Sequence, residues 1–346
     1  MQRRDFLFSA AAGIAAAAGA VRTGFAQDAG QPAAGQPAEG RQGAGRRGGG
    51  AGQGRGQAAP APIGDATPYP RNPKVESRVA LMSLDFATWI KDIPDVQPGP
   101  QRTIAFFELP VMLADVYDVH MVEFQDQHFE SNTPAYFKSL RAALAKTKSR
   151  ATQINANFEP GVHMAGPSLA ARQEAVILTK ARIDQAVQLG ALRVMVNQAH
   201  LSLGRGNLPQ AIEAFKQMAD YGKSKNIRVS IETRGGQAPP VPRTDLPAPG
   251  LETWQMMKEL ITKAGAYANP DVGNANAMNQ QELHQCLSKD LLFPTAGNMH
   301  CRVNMNWDLT TAIKYLNGLG YTGHFTVEAN AHTGVRPVYE AIVAAL

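Results

Sequence analysis

The sequence predicts an α/β fold, a (β/α)8 TIM barrel, preceded by a signal peptide and a disordered linker. From about residue 70 onward, short apolar runs alternate with segments whose apolar residues recur every three or four positions, the period of an amphipathic helix. The apolar runs number eight in about 277 residues, which fits a parallel barrel of alternating strands and helices. An open, doubly wound sheet is the alternative architecture.

Each candidate strand is a short apolar run that is followed by a more polar segment. Helical patterns lie between the runs, for example LAARQEAVILTKARIDQAVQLG at 169–190 and LPQAIEAFKQMADYGKSK at 208–225. The candidate strands are, in chain order, Val79 to Ser83, His120 to Phe124, Ala151 to Ile154, Leu192 to Val196, Ile227 to Ile231, Ala266 to Ala268, Met299 to Val303 and His324 to Val327.

Residues 1–26, MQRRDFLFSAAAGIAAAAGAVRTGFA, have the pattern of a twin-arginine signal peptide. Arg3 and Arg4 precede an alanine-rich apolar run, and the segment ends in a small-x-small cleavage pattern, Gly24 to Ala26. Glycines interrupt the run, which is short and weakly apolar for a membrane span; a retained anchor is the alternative. We therefore expect a periplasmic or secreted protein with no stable membrane insertion after cleavage.

Residues 27–69 are rich in Gly, Ala, Gln, Pro and Arg, a composition that buries too little apolar surface to fold. We interpret them as a disordered linker and assign the barrel to residues 70–346. Residues 1–66 hold seven arginines and four acidic residues, so the remainder carries 27 basic against 25 acidic residues. The folded part lacks the basic surface of a nucleic-acid-binding domain, and we expect no nucleic-acid partner.

The chain has two cysteines, Cys286 and Cys301, which is too few for a disulfide framework. A single disulfide bond between them, formed in an oxidising compartment, is the alternative. We favour two unpaired thiols.

Ionisable residues stand at the ends of the last four candidate strands. Glu232 ends the fifth, Asp271 follows the sixth in AYANPDVGNAN, His300 lies in AGNMHCRVN, and Glu328 follows the eighth in GHFTVEANAH. In a parallel barrel the carboxyl ends of the strands surround one open mouth, so the four side chains are expected to converge there.

Three carboxylates and one imidazole at one mouth favour a divalent metal ion. Without a cation the carboxylates would repel one another and raise each other's pKa. An oxygen-rich set with one imidazole suits Mn²⁺, with Mg²⁺, Co²⁺ or Zn²⁺ as alternatives. Taken singly, each residue has another explanation: a solvated charge for a glutamate, a core position for His300, or a turn for Asp271 between Pro270 and Gly273.

Other polar side chains near strand ends are candidates for substrate contact. Arg302, two residues after His300, is expected on the same side of its strand, where it could hold an oxyanion or a hydroxyl. His128 follows the second strand and Asn197 the fourth. Imidazole and amide groups suit sugar hydroxyls, which need both donors and acceptors. A purely structural role is the alternative for each.

The segments VSIETRGG, PDVGNAN, NMHCRVN and HFTVEAN resemble the metal-binding half of the xylose isomerase-like TIM-barrel family, with the likeness extending over roughly residues 75–346. The resemblance implies that Glu232, Asp271, His300 and Glu328 hold the metal, and that Glu232 and Glu328 form the acid/base pair. Asn274 stands where many members have a histidine, and we assign it to substrate binding.

The resemblance implies a metal-dependent sugar isomerase or epimerase that removes a proton beside a carbonyl and passes through an enediolate. A lyase or dehydratase acting on keto-sugars or 3-keto-glycosides begins with the same step, and a non-catalytic sugar-binding barrel is a further alternative. A trinuclear zinc nuclease of this family would need more histidines and a basic groove, which the sequence lacks. The expected partner is a small sugar or sugar derivative. The sequence is also compatible with a homo-oligomer.

Overall fold

The computed structural model describes residues 69–94, 103–159, 162, 164–166, 168–197, 203–233, 251–275 and 278–346. The predicted signal peptide and nearly all of the predicted linker lie outside these residues. Tyr69, at the predicted end of the linker, lies against the barrel: its ring centroid is 4.4 Å from that of Tyr339, and its hydroxyl donates to Glu340 Oε1 at 3.0 Å.

Eight strands form the sheet of the described chain, and each lies within two residues of its predicted position. All strand pairs are parallel. The strands are β1 Val79–Met82, β2 Met121–Gln125, β3 Arg150–Ala156, β4 Arg193–Val196, β5 Arg228–Glu232, β6 Tyr267–Asn269, β7 Asn298–Cys301 and β8 His324–Val327.

The strand order, β6-β5-β4-β3-β2-β1-β8-β7, confirms a barrel rather than an open doubly wound sheet. From β1 to β6, and from β7 to β8, strands adjacent in sequence pair with each other, and β8 returns to pair with β1. At the remaining seam, β6 and β7 meet through a parallel bridge between Asp271 and His300, where the His300 amide donates to the Pro270 carbonyl at 2.8 Å. Two of the predicted ligands therefore lie at the closure of the barrel.

Helices cover the outside of the barrel. Their ends carry ordinary sequence signals: the Ser168 hydroxyl caps the helix that begins at Leu169 by accepting from the Ala171 amide, and the Thr133 hydroxyl caps the helix that begins at Pro134. No described helix is both long and apolar enough to cross a bilayer. The helices are α1 Pro73–Arg78, α2 Leu109–Tyr117, α3 Pro134–Lys146, α4 Leu169–Leu189, α5 Leu208–Ser224, α6 Leu251–Ala264, α7 Gln280–Cys286, α8 Leu309–Gly318 and α9 His332–Ala345.

In β2, β5, β7 and β8, apolar and polar residues alternate, so one side of each strand suits the helices and the other faces the barrel axis. In β5, Val229 packs against α5, while Ser230 and Glu232 lie on the opposite side and are also buried. Branched apolar residues usually fill the interior of this architecture. Here the buried interior includes Glu123 and Asn298, so its polar atoms need partners within the barrel.

The two cysteines are buried, unpaired thiols in the structure. Burial raises the pKa of the Cys286 thiol to about 12 and that of Cys301 well above its usual range. Both thiols are therefore held in the unreactive protonated form at neutral pH.

At the amino-terminal end of the barrel, Arg193 is buried and fixes the loops beneath the strands. Its guanidinium donates to the Gly297 carbonyl at 2.6 Å and to His324 Nδ1 at 2.9 Å. Because an arginine only donates, His324 Nδ1 must accept, and the ring is neutral. Burial, followed by the charges of Arg193 and Arg78, lowers the pKa of His324 to about 3.

His324 should make the fold sensitive to acid. Below about pH 6.5 the unfolded chain takes up a proton at this ring while the folded protein does not, so stability falls as the pH decreases toward 3. The substitution His324→Gln keeps an acceptor for Arg193 but removes the titration. In urea unfolding at pH 7 and pH 4.5, wild type should lose about 2–3 kcal/mol more than the variant. Equal losses would contradict the assignment.

Gly222 allows α5 to approach β5 closely. A Cβ atom at this position would lie 2.4 Å from Val229 Cγ2 and 2.7 Å from the Ile227 carbonyl oxygen. We expect Gly222→Ala to lower the free energy of unfolding by about 1–3 kcal/mol through overpacking. Gly318→Ala, at a helical glycine with no atom within 4 Å of the added Cβ, is the control and should be neutral or stabilising by up to about 1 kcal/mol. Urea unfolding measures both, and equal effects would refute the packing argument.

Candidate active site

The structure brings the four predicted ligands to the carboxyl end of the barrel. Glu232 is the last residue of β5, Asp271 lies two residues beyond β6, His300 lies in β7, and Glu328 directly follows β8. All four are buried, with exposed fractions of 6% or less. Among the described residues, one oxygen each of Glu232 and Glu328 and one ring nitrogen of His300 lie within 4.8 Å of one another, a spacing at which they could hold a metal ion.

His300 lies at the centre of this group. Its Nδ1 is 2.9 Å from Glu328 Oε2 and 3.5 Å from Glu232 Oε1. Although shielded from solvent, His300 Nδ1 and Glu328 Oε2 make no hydrogen bond. Buried polar atoms without partners are rare and costly. A divalent cation would satisfy both lone pairs, so these residues fit the metal that the sequence predicts.

Asp271 lies beside the group of three rather than within it. Its Oδ1 accepts from the Gly273 amide at 2.7 Å, and its Oδ2 accepts from Asn274 Nδ2 at 2.6 Å. Burial, reinforced by the charges of Glu328 and Glu232, raises the pKa of this carboxyl well above its usual range, while Arg302 opposes the rise. Its role as a fourth ligand stays a prediction.

Arg302 supplies positive charge at the mouth. Its guanidinium pairs with Glu328 Oε1 and lies 3.4 Å from Asp271 Oδ2. Burial alone would lower the pKa of Arg302, but Asp271 and Glu328 raise it above its ordinary value. By holding one oxygen of Glu328, Arg302 leaves the other oxygen facing His300.

Burial and neighbouring charges act in opposite directions on the pKa values of His300 and Glu123. Burial alone would lower the pKa of its imidazole, yet Glu123 and Glu328 raise it well above the usual range. Burial would likewise raise the pKa of Glu123, but His300 and hydrogen bonds from Asn155 and Thr326 lower it. His300 and Glu123 thus stabilise each other in the buried interior, where His300 Nε2 lies 2.7 Å from Glu123 Oε1.

The remaining predicted substrate residues occupy different surroundings. Asn274 donates to Asp271 and to the Thr233 carbonyl at 3.0 Å, so its amide nitrogen supports the predicted ligand Asp271. Asn197 is half-buried at the end of β4 and donates to Asn157 Oδ1 at 2.9 Å. Contact between these side chains and a substrate stays a prediction.

His128 is buried away from solvent, with an exposed fraction of 2%. Its Nδ1 lies 2.9 Å from Ser83 Oγ, and its ring meets the Phe106 ring edge to face. The structure thus places His128 against the packed end of β1 and β2, and a role in substrate binding stays a prediction.

Two buried carboxylates beside the predicted ligands, Glu123 and Asp85, were not among the candidate residues from the sequence. Glu123 lies within β2, and its Oε1 is 2.7 Å from His300 Nε2. Asp85 follows β1, and its Oδ1 accepts from the amides of Ala329 and Asn330 at 2.7 and 2.9 Å, which anchors the turn after Glu328. For Glu123 the sequence did contain a signal: an acidic residue between the apolar Val122 and Phe124, inside a strand rather than at its end.

Gly273 lets Arg302 reach the two carboxylates. A Cβ atom on Gly273 would lie 2.0 Å from Arg302 Cδ and 2.4 Å from Nε. We expect Gly273→Ala to displace the guanidinium and to cost about 1–3 kcal/mol of stability in the metal-free protein. In an Arg302→Ala background the same change should cost much less, because the clash is removed.

A double-mutant cycle by urea unfolding measures this coupling. Gly206→Ala, where the added Cβ meets nothing within 4 Å, is the matched control in both backgrounds. Equal costs of Gly273→Ala with and without Arg302 would show that the arginine is not what the glycine accommodates.

Comparisons with known proteins identify the family of this chain. A family model described as "Xylose isomerase-like TIM barrel" matches residues 113–345. Comparison with curated proteins gives no match.

Solved structures with a similar fold include several sugar-processing enzymes. A 3-keto-D-glucoside 4-epimerase from E. coli is 12% identical, covers 77% of this chain and 97% of its own, and has a TM-score of 0.56. A xylose isomerase domain protein from Planctomyces limnophilus is 13% identical, covers 78% and 96%, and has a TM-score of 0.56. A D-psicose 3-epimerase, solved in the presence of D-fructose, is 12% identical, covers 75% and 89%, and has a TM-score of 0.54.

At this level of identity the solved structures show a shared fold. The family model matches well over half of the chain and spans the strands and turns that carry Glu232, His300 and Glu328. The chain belongs to the xylose isomerase-like TIM barrel family.

Proposed function

We propose that this protein is a metal-dependent sugar isomerase or epimerase that removes and returns a proton on a carbon next to a carbonyl. The observation that carries the proposal is the group formed by Glu232, His300 and Glu328, whose ligand atoms converge within 4.8 Å. Two of these atoms, His300 Nδ1 and Glu328 Oε2, are buried without a hydrogen bond. The chain belongs to the xylose isomerase-like family, and its structural neighbours include sugar epimerases. Both findings support a sugar substrate.

A divalent cation bound by Glu232, His300 and Glu328, with Asp271 as the expected fourth ligand, would polarise the substrate carbonyl and stabilise negative charge developing beside it. One imidazole among carboxylate oxygens favours Mn²⁺, with Mg²⁺, Co²⁺ or Zn²⁺ as alternatives.

Glu232 and Glu328 are the proposed acid/base pair. They arrive from β5 and β8, so two carboxylates reach the mouth from separate strands. One would take the proton from the carbon beside the carbonyl, leaving an enediolate, and the other would return a proton to that carbon or its neighbour. Return to the opposite face of the same carbon gives epimerisation, whereas return to the neighbouring carbon gives isomerisation.

Arg302 orients one member of this pair, Glu328. Because its guanidinium holds Glu328 Oε1, the Glu328 carboxylate is fixed with Oε2 toward His300. An oriented carboxylate loses less freedom when the reaction occurs, which is a general source of catalytic advantage. The burial of the four predicted ligands also limits water, which strengthens each electrostatic interaction in the mouth.

We further propose that the protein acts outside the cytoplasm. The support is the sequence of residues 1–26, with Arg3 and Arg4 ahead of an apolar run, and the linker composition of residues 27–69. A twin-arginine route exports folded proteins, which suits an enzyme that acquires its cation before export.

The test is exchange of substrate protons with D₂O, with metal content measured on the same sample. The purified protein is stripped with a chelator, reloaded with Mn²⁺, and incubated with a panel of ketoses and 3-keto-glycosides. Wild type should incorporate deuterium beside the carbonyl of at least one substrate. Glu328→Gln and Glu232→Gln should each lower the rate by about 10²- to 10⁴-fold.

Glu174→Gln, at an exposed glutamate of α4, is the matched control and should leave the rate unchanged. Bound metal is quantified in every variant, because both proposed bases are also proposed ligands. Exchange at the wild-type rate in Glu328→Gln would remove this residue from the mechanism. Exchange accompanied by loss of a leaving group would identify the lyase alternative, and metal binding without exchange would favour a sugar-binding barrel.

A further inference from the structure

Glu123 is a buried carboxylate that the proposed reaction does not use. It lies in the middle of β2 with no exposed surface, on the side of the strand that faces the barrel axis. Its Oε1 is 2.7 Å from His300 Nε2, the ring nitrogen opposite the one that faces Glu232 and Glu328. The imidazole is therefore held between a carboxylate below it and the proposed metal ligands above it.

Four further donors fix the position of the Glu123 carboxylate. Its Oε1 accepts from Gln153 Nε2 at 3.1 Å and from Asn155 Nδ2 at 2.7 Å. Its Oε2 accepts from Asn298 Nδ2 and from the Thr326 hydroxyl, both at 2.9 Å. The donors come from β3, β7 and β8, so the carboxylate is held from several directions and cannot turn away from His300 without losing hydrogen bonds.

The chemistry of the pair decides which ring nitrogen carries a proton. An ionised carboxylate only accepts, so the His300 nitrogen next to it must donate. In the neutral ring, a proton on Nε2 leaves the lone pair on Nδ1. His300 Nδ1 is the atom that lies 2.9 Å from Glu328 Oε2 without a hydrogen bond.

We propose that Glu123 is a positioning residue that holds the proton on His300 Nε2 and directs Nδ1 toward a divalent cation. The inference rests on the cation binding in the proposed function. A carboxylate behind a ligating imidazole fixes the tautomer and ring orientation and makes the imidazole a stronger ligand. Glu123 thus acts on the metal through His300.

A purely structural role makes a different prediction. If Glu123 only satisfied the buried amides of Asn155, Gln153 and Asn298, its replacement would lower stability and leave the metal affinity of the folded protein unchanged. Affinity measured on folded protein therefore separates the two roles.

The test is titration of the metal-free protein with Mn²⁺ by isothermal calorimetry, using Glu123→Gln. The amide has nearly the same shape, but it carries no charge and can present its NH₂ group to the ring. We expect Mn²⁺ binding to weaken by about 10- to 100-fold. In the Zn²⁺-loaded protein, nitrogen NMR of the His300 ring should show a strongly hydrogen-bonded Nε2 proton in wild type and its loss or shift in the variant.

Thr326→Val is the matched control. It removes a different hydrogen bond to the same carboxylate, through Oε2, and leaves the contact between Oε1 and His300. Its Mn²⁺ affinity should stay within about threefold of wild type, even where its stability falls. Urea unfolding of the metal-free proteins shows which variants are folded.

Should Glu123→Gln fail to fold, Glu123→Asp serves instead, since it keeps the charge but withdraws the carboxylate from His300 by about one carbon–carbon bond. It should bind Mn²⁺ more weakly than wild type and keep the proton on Nε2. Wild-type affinity in the folded variant would overturn the positioning role and leave the proposed function intact. Absence of divalent-cation binding by wild type would overturn both.

Discussion

Buried negative charge is the constraint on which the mouth of this barrel depends. Glu123, Glu232, Asp271 and Glu328 are all shielded from water, and an unpaired buried carboxylate is costly. Arg302, directly after β7, lies beside Glu328 and Asp271 and compensates their charge, and His300 of β7 lies between Glu123 and Glu328. His300 Nδ1 and Glu328 Oε2 make no hydrogen bond and lie where the proposed cation would be bound.

The same residues contribute to closing the fold. A backbone bridge between Asp271 and His300 joins β6 to β7. The contact that closes the barrel therefore also places two candidate ligands next to each other. Asp85 adds a similar link, because its side chain just beyond β1 accepts from the amides of Ala329 and Asn330 and so fixes the chain that follows Glu328. The site is thus supported by backbone hydrogen bonds as well as by side-chain charges.

Local sequence patterns were sufficient for the architecture. Eight apolar runs, separated by helical periods, predicted every strand to within two residues, because the period of a strand and the turns that end it are local properties. The position of Glu232, Asp271, His300 and Glu328 at the carboxyl ends of their strands followed from parallel topology alone. Glu123 escaped notice because a charged residue inside a strand gives no local sign of the partner it will meet.

The sequence by itself determined the order of strands and helices, the end of the barrel at which the ionisable groups gather, and the near-neutral charge of the folded part. Only the tertiary structure decided that His300 lies between Glu123 and Glu328, that Gly273 makes room for Arg302, and that Asn274 supports Asp271. These contacts join residues that are brought together by barrel closure, and Glu123 and His300 are 177 positions apart in the chain. Their distances depend on strand register and side-chain packing, which no single segment encodes.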